Sequence, residues 1–311
     1  MAGSGRRVCL PGGGGVSKKP TIGFLGTGTM GNPIAYNLLR GGFPLIVWNR
    51  TPARYANLVA AGATALHSPR AVAAESDVVI TMLMQWAHLE ALLDGPEGII
   101  AGLRPGSLFI DLATDPPLAA RRLSQRLHEH GIEALDAPVR GGEKGAIERS
   151  LLIMVGGRRE AYERALPIFE AIGKRSVYIG PPGCGQLAKA CHQMMMAVTL
   201  EAMAETFALS ETFGADPARV REALLEGQAA SRILELHGAR MLQHDWRPGR
   251  AIKHYLKDRA NLYETAAATG VDLPLARIVF EKILELVQNG RGELDETSLY
   301  LTATRKTEAL S

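Results

Sequence analysis

The pattern of hydrophobic and polar positions changes once along the chain, near residue 180. From Thr21 to about Gly180, short apolar runs alternate with longer stretches in which apolar residues recur at helical spacing. The runs predicted to be strands are TIGFLG, PLIVWN, DVVITML, SLFIDL, EALDAPV, LLIMVGG and SVYIG. This alternation predicts an α/β fold built on a doubly wound parallel sheet.

After this point the strand pattern disappears, and helical spacing continues towards the end of the chain. A single helix is predicted over residues 186–213, the first of an all-α region. The sequence therefore predicts an α/β domain over 20–182 and an all-α C-terminal domain over 183–311. Residues 1–19 are glycine-rich and basic, and we expect them to form a disordered leader.

Composition and charge exclude several classes of function. The chain has 311 residues and a formal net charge of +3, with Lys and Arg interspersed among Asp and Glu, so no nucleic-acid partner is expected. It has no run of 18 apolar residues, so no membrane span is expected. Three cysteines, Cys9, Cys184 and Cys191, lack C-x-x-C spacing. They predict neither a disulfide framework nor a metal site, and they favour a cytoplasmic location.

The first predicted strand runs directly into a glycine-rich turn. Gly26, Gly28 and Gly31 have the spacing G-x-G-x-x-G between a strand and a helix. Glycines at these positions permit a tight turn and let a pyrophosphate approach the amides at the helix N-terminus. The turn therefore predicts a dinucleotide site, whose remaining members are Thr27, Thr29 and Met30.

The end of the second strand indicates which dinucleotide is bound. Asn49 stands where an acidic residue would accept the ribose 2′-OH of NAD, and Arg50 and Thr51 follow it. A cation and a hydroxyl suit a 2′-phosphate, so we predict NADP(H) rather than NAD(H). In the alternative interpretation, Arg50 is a solvated loop residue.

The helix that opens the second domain is apolar on both sides for most of its length, which is typical of a buried helix. Lys189, His192 and Gln193 cluster in its first turns, so they are expected to line a cleft. Burial and the positive end of the helix dipole both lower the pKa of a lysine, as a proton donor to a carbonyl oxygen requires. In the alternative interpretation, Lys189 reaches solvent near the helix end.

Six ordered motifs carry a resemblance to a known family. They are GFLGTGTMGNPIAYNLL, ITML, DAPVRGGEKGA followed by LLIMVGG, GCGQLAKACHQ, ASRILELHGARML and YLKDRANL. With this set the chain resembles the β-hydroxyacid dehydrogenase family, and within it the branch that reduces tartronate semialdehyde. The resemblance covers nearly everything except the leader. It implies an N-terminal Rossmann domain, an all-α C-terminal domain and a catalytic cleft between them.

The resemblance also assigns roles to individual residues. It implies that Lys189 is the general acid in reduction and the base in oxidation. Lys257, Gly141 and Gly142 would hold the substrate carboxylate, although Lys257 considered alone is typical of a helix surface. From their positions at the ends of the DVVITML and SLFIDL strands, Leu83, Met84 and Thr114 are expected to contact the nicotinamide, unless they are ordinary turn residues.

Three positions depart from the family pattern. Arg140 stands where the family usually has serine, and Met84 where it commonly has proline. His192, which Gln193 follows, stands where the lysine motif usually carries asparagine three residues after the lysine. Arg140 is expected to bind a carboxylate or a second anionic group of the substrate through its guanidinium fork. In the alternative interpretation its side chain turns outward into solvent and leaves the site unchanged.

The function expected from all of this is NADPH-dependent interconversion of a short 3-hydroxy acid and its semialdehyde. Tartronate semialdehyde, reduced to glycerate, is the first candidate, and 3-hydroxyisobutyrate or another small semialdehyde reductase activity is the alternative. An imine reductase or a non-catalytic nucleotide-binding scaffold ranks lower, because such relatives generally lack the family lysine that Lys189 matches. The expected partners are a small anionic substrate and further copies of the chain, in a homodimer or homotetramer.

Overall fold

The computed structural model describes residues 19–304. Apart from Lys19, the expected leader lies outside this range. Six short strands form a parallel sheet in the order β3-β2-β1-β4-β5-β6. They are β1 Ile22–Leu25, β2 Leu45–Trp48, β3 Thr64–Ala65, β4 Val78–Thr81, β5 Leu108–Asp111 and β6 Glu133–Asp136. This order, with helical crossovers, is that of a doubly wound nucleotide-binding sheet and confirms the predicted fold class.

Three further strands extend the sheet beyond β6. They are β7 Val139–Arg140, β8 Leu151–Gly157 and β9 Gly173–Gly180. β8 runs antiparallel to both β6 and β7, and β9 runs parallel to β8. The sheet is therefore mixed at this edge, which the alternating pattern did not indicate. The two-residue strands β3 and β7 are too short to produce a period-two signal in the sequence.

Helices cover both faces of the sheet. They are α1 Gly31–Arg40, α2 Ala56–Ala60, α3 Pro69–Ala74, α4 Trp86–Leu93, α5 Ile99–Gly102, α6 Pro117–His128, α7 Gly142–Ile147 and α8 Arg159–Ile172. Successive side chains of β1 enter different cores, since Phe24 packs in one apolar cluster and Leu25 in the other. Burial on both faces explains why these strands are continuous apolar runs in the sequence.

The second half is helical, as predicted. It comprises α9 Cys184–Phe213, α10 Pro217–Leu225, α11 Arg232–Leu242, α12 Tyr255–Thr269, α13 Pro274–Leu286 and α14 Tyr300–Ala303. Shorter helical turns cover Ile252–His254, Val287–Arg291 and Glu296–Leu299. α9 begins two residues before the predicted start and ends where expected, and a separate apolar core surrounds it. Among residues 19–304, no helix is long and apolar enough to cross a membrane.

The first turn of α9 is attached directly to the sheet. The Asp136 carboxylate, at the end of β6, accepts the backbone N–H of Gly183 at 2.7 Å and of Gln186 at 2.8 Å. The buried Gln186 side chain donates to the Ala113 carbonyl at 2.8 Å, and its oxygen accepts the Asp115 N–H at 2.9 Å. These bonds satisfy orphan amides of the helix N-terminus and fix the helix relative to β5 and β6.

Close backbone packing completes this attachment. A Cβ at Gly185 would lie 2.4 Å from the Asp136 carbonyl oxygen and 2.5 Å from that of Met154. A Cβ at Gly156, on β8, would lie 2.6 Å from the Gly185 nitrogen. Only glycine permits the helix and the sheet to approach so closely.

We expect Gly185→Ala to lower the free energy of unfolding by about 1–3 kcal/mol, because the added methyl group overlaps fixed backbone atoms. Urea denaturation measures the loss. Gly227→Ala is the matched control, since a Cβ added there would lie 3.9 Å from the Ala223 and Leu224 carbonyl oxygens, an ordinary van der Waals distance. The control should change stability by less than about 0.5 kcal/mol. Equal stability of both variants and the parent would contradict the close packing of α9.

Candidate active site

The glycine-rich turn has the geometry that a dinucleotide requires. Gly26 has φ +98°, and a Cβ there would lie 2.5 Å from the Met82 carbonyl oxygen. A Cβ at Gly31 would lie 1.9 Å from the Gly26 carbonyl oxygen. Among residues 19–304 and apart from its chain neighbours, the only atom within 4 Å of a Cβ built on Gly28 is an Arg54 nitrogen at 3.5 Å, so space beside this residue is open to a phosphate. The structure therefore contains residues that fit the pyrophosphate of a dinucleotide.

The other residues of the turn surround this space. Thr27 and Thr29 line a cavity of ≈ 390 Å³ beside Gly28, and Met30 is the N-cap residue of α1. The N-cap side chain makes no capping hydrogen bond. The Asn32 N–H donates to the Gly28 carbonyl oxygen at 2.9 Å, and Pro33 has no N–H. Among the first three residues of this helix, the Gly31 N–H therefore has no acceptor within residues 19–304 and is open to an anionic ligand.

Asn49 joins the glycine-rich turn to the end of β2. Its side-chain oxygen accepts the Thr27 N–H at 3.2 Å, and its side-chain nitrogen donates to the Thr51 carbonyl at 3.0 Å. Arg50 and Thr51 are exposed and line a second cavity, of ≈ 310 Å³, which also touches Gly28. The residues predicted to bind the 2′-phosphate therefore line the same cavity as the glycine-rich turn.

Arg54 is a binding candidate that the sequence analysis missed. It lines both cavities, and one of its terminal nitrogens faces Gly28. It belongs to the short helical turn Pro52–Tyr55, which follows Arg50 and Thr51. No sequence pattern distinguishes Arg54 from an ordinary turn arginine.

The residues predicted to contact the nicotinamide follow β4 and β5, which are adjacent strands. Leu83 and Met84 line the ≈ 310 Å³ cavity, where Leu83 packs against the core and Met84 is 77% exposed. Thr114 is partly exposed three residues beyond the end of β5. All three lie at the carboxyl edge of the parallel strands, where ligands bind in this class of sheet.

Lys189 is partly buried on α9, and its Nζ donates to the Val139 carbonyl oxygen at 3.0 Å. Burial lowers the pKa of the Lys189 ammonium from 10.5 to about 8. The Asp258 carboxylate raises this pKa, while Arg250 and Arg140 lower it. A lysine with this pKa can donate or accept a proton near neutral pH.

The hydrogen bond to Val139 brings Lys189 close to Arg140, which Gly141 and Gly142 follow in the chain. Arg140 is exposed at the end of β7, and its Nε donates to Nε2 of His192 at 3.1 Å. Gly141 and Gly142 follow with φ values of +138° and +61°. Because Gly142 is the first residue of α7, its N–H has no acceptor within the helix.

Gln193 is buried and points towards the helical domain. Its amide nitrogen donates to Asp258 Oδ2 at 3.1 Å. The same carboxylate oxygen accepts a hydrogen bond from Arg250, whose guanidinium stacks 4.1 Å from the ring centroid of Tyr255. Asp258 and Arg250 were both missed as site residues. Asp258 follows Lys257 within YLKDRANL, whereas Arg250 carries no recognisable sequence signal.

Lys257 lies on α12 but contacts the carboxyl edge of the sheet. Its Nζ donates to the Met84 carbonyl oxygen at 3.2 Å and lies 3.8 Å from an Asp115 carboxylate oxygen. Burial and the neighbouring Asp111 raise the pKa of Asp115 to about 9, and Lys257 partly opposes this rise. The partners of Lys257 are thus on the nucleotide side of the cleft, and none of its hydrogen bonds or ion pairs involves Arg140, Gly141 or Gly142.

Comparison with known proteins identifies the family. The model for the NAD binding domain of 6-phosphogluconate dehydrogenase matches residues 21–180. The model described as NAD-binding of NADP-dependent 3-hydroxyisobutyrate dehydrogenase matches residues 183–302. The 2-hydroxy-3-oxopropionate reductase of Escherichia coli (strain K12) is 37% identical over 278 residues, which are 89% of this chain and 95% of that protein. The chain belongs to the β-hydroxyacid dehydrogenase family.

Other members of this family are similar over the same length. The NAD-dependent L-serine dehydrogenase of Pseudomonas aeruginosa is 34% identical over 281 residues, 88% of this chain and 94% of that protein. The structure of Mycobacterium tuberculosis 3-hydroxyisobutyrate dehydrogenase with L-serine superimposes with a TM-score of 0.85 at 30% identity, covering 92% of this chain and 99% of that one. The expected membership is confirmed, and the chain is an NAD(P)-dependent hydroxyacid dehydrogenase.

Asp258→Asn is expected to lower the pKa of Lys189 below about 8, because the carboxylate stabilises the ammonium and its loss leaves Arg250 less neutralised. Only the neutral amine reacts with an acylating reagent, so the pH dependence of Lys189 modification, followed by mass spectrometry, reports this pKa. Asp272→Asn removes an exposed carboxylate paired with Arg277 and serves as the control. An unchanged or higher pKa in Asp258→Asn would contradict the assignment.

Proposed function

We propose that the chain is an NADPH-dependent reductase that interconverts a short 3-hydroxy acid and its semialdehyde. Tartronate semialdehyde, reduced to glycerate, is the first candidate substrate. The observation that carries the proposal is the position of Lys189, which is partly buried, has a pKa of about 8, and is bonded to the residue directly before Arg140. A proton donor near the Arg140 cation, which two glycine amides follow in the chain, would supply the groups that a small oxo acid needs.

Lys189 is the general acid of the proposed reduction. Bound NADPH would supply a hydride to the aldehyde carbon. As the C=O double bond becomes a single bond, the oxygen takes a proton from the Lys189 ammonium, so the products are the alcohol, NADP⁺ and a neutral amine. A pKa of about 8 keeps most of the lysine protonated at pH 7 and still allows the proton to leave. In the reverse direction the neutral amine acts as the base.

The substrate carboxylate would be held by Arg140 with the N–H groups of Gly141 and Gly142. The Arg140 guanidinium has terminal nitrogens without a hydrogen-bond partner among residues 19–304, so it can take a carboxylate bidentately. Lys257 would complete this group after it releases its contacts with Met84 and Asp115. The small semialdehydes related to 3-hydroxyisobutyrate carry the same carboxylate and are the alternative substrates.

The proposed preference for NADP(H) rests on two arginines and on the absence of an acidic residue at position 49. Asn49, which holds the place of the ribose-binding acid, is neutral and already bonded to backbone groups on both sides. Arg50 and Arg54 line the same cavity and supply positive charge for a 2′-phosphate.

The outer face of α9 supports the proposal that the chain forms a homodimer or homotetramer. Leu187, Met195, Leu209 and Phe213 lie along this helix and are 37%, 60%, 71% and 87% exposed. Large exposed apolar side chains repeated along one helix are typical of protein–protein interfaces.

Lys189→Ala should lower kcat for semialdehyde reduction by about 10²–10⁴-fold, because it removes the proton donor. The dissociation constant for NADPH should remain within about twofold, since the glycine-rich turn is untouched. Steady-state kinetics and fluorescence titration measure the two quantities. The exposed Lys174→Ala is the control and should match the parent. A kcat within tenfold of the parent would remove Lys189 from this role.

Arg54→Ser should weaken NADPH binding by about 10- to 100-fold, which is the loss expected for one charged hydrogen bond. NADH binding should change little, because NADH lacks the 2′-phosphate. Titration of both cofactors measures the ratio, with the exposed Arg175→Ser as control. Equal losses for the two cofactors would assign Arg54 to the pyrophosphate, and equal affinities of the parent for both would refute the preference for NADP(H).

A further inference from the structure

The contact between Arg140 and His192 determines which imidazole nitrogen carries the proton. Nε of Arg140 lies 3.1 Å from Nε2 of His192. A guanidinium nitrogen is a donor only, so Nε2 must be the acceptor and therefore unprotonated. The proton of a neutral imidazole in this position is then on Nδ1.

The surroundings keep His192 neutral. Burial, together with the positive charges of Lys189, Arg140 and Arg250, lowers the pKa of the His192 imidazole to about 4, against the opposing effect of the Asp258 carboxylate. Lys189 lies on α9, Arg140 on β7, Arg250 in the segment before α12, and Asp258 on α12 itself. The charges that act on the ring thus come from each of these elements. At neutral pH the ring is therefore uncharged, with one N–H.

That N–H is free to act on a ligand. Nδ1 of His192 has no hydrogen-bond partner among residues 19–304, and it is not among the atoms sealed from solvent in that part of the chain. Lys189 lies three residues earlier on the same face of α9. The amide nitrogen of Gln193, by contrast, is bonded to Asp258 in the buried interior.

We propose that Arg140 is a positioning residue for His192. Its Nε–H fixes the Nδ1–H tautomer, so that His192, and not Gln193, donates a hydrogen bond to the substrate oxygen that Lys189 protonates. The two terminal nitrogens of Arg140 remain for the substrate anion. This inference rests on the proposed function, and it gives Arg140 two separable tasks, one affecting the chemical step and one affecting substrate binding.

The tautomer can be observed without turnover. Long-range ¹H–¹⁵N correlation spectra distinguish protonated from unprotonated ring nitrogens, and the spectrum of His192→Asn identifies the His192 signals among those of eight histidines. The parent protein should show Nδ1 protonated and Nε2 unprotonated. Arg140→Ser should populate the Nε2–H form. Lys144→Ser, which removes an exposed cation on α7, should leave the spectrum unchanged.

A double-variant cycle tests the consequence for catalysis. Arg140→Ser should lower kcat about tenfold in the parent but by less than about twofold in the His192→Asn background, because the imidazole through which Arg140 acts is then absent. It should raise KM in both backgrounds, because the terminal guanidinium nitrogens that would bind the substrate anion are lost in either case. Arg140→Lys keeps the charge and should recover KM more than kcat.

The outcomes separate the two proposals. An Nε2–H signal in the parent, an unchanged tautomer in Arg140→Ser, or additive effects on kcat would overturn the role of Arg140. If the parent reduces no short semialdehyde although NADPH binds, the proposed function fails, and the spectra alone decide whether Arg140 sets the tautomer.

Discussion

The active-site geometry depends on how the first turn of α9 meets the sheet. Asp136 bonds two amides of that turn, and Gly185 and Gly156 let backbone contact backbone. The hydrogen bonds orient the helix, and glycine at these two positions permits its short distance from β6 and β8. Lys189 lies one turn further along the same helix, so its position over the carboxyl edge of the sheet follows from this attachment. A looser contact would displace the proton donor relative to the nucleotide.

The same attachment of α9 to the sheet also places Lys189 among positive charges, which affects its pKa. Bringing α9 against the sheet buries Lys189 near Arg140 and Arg250, which favours its neutral form, and the Asp258 carboxylate on α12 opposes this effect. Asp258 is in turn held by Arg250 and Gln193. The helical domain therefore sets the pKa of a lysine whose substrate would be oriented by the nucleotide-binding domain. The proposed activity would therefore require both domains, although each has its own apolar core.

The sequence predicted the features that depend on local pattern. Continuous apolar strands, the glycine spacing and the two-sided apolar helix are local patterns, and they predicted the fold class and the helix on which Lys189 lies. Contacts between distant segments left no such signal. Asp115 and Arg54 resemble ordinary turn residues in the sequence, and Lys257 bonds a backbone carbonyl at Met84, which any side chain there would provide. Arg140 was interpreted as a ligand for the substrate alone, because its contact with His192 spans 52 positions.

The most direct test is the initial rate of NADPH consumption with tartronate semialdehyde, measured beside other short semialdehydes, dicarboxylic aldehydes and neutral aldehydes of equal length. We expect kcat/KM for the short 3-oxo acids to exceed that of the neutral aldehydes by at least about 100-fold, because the cations and amides beside Lys189 require an anion. Preference among the acids then names the substrate. Equal rates with neutral aldehydes, or no consumption with any acid, would contradict the proposal that this cleft reduces a small oxo acid.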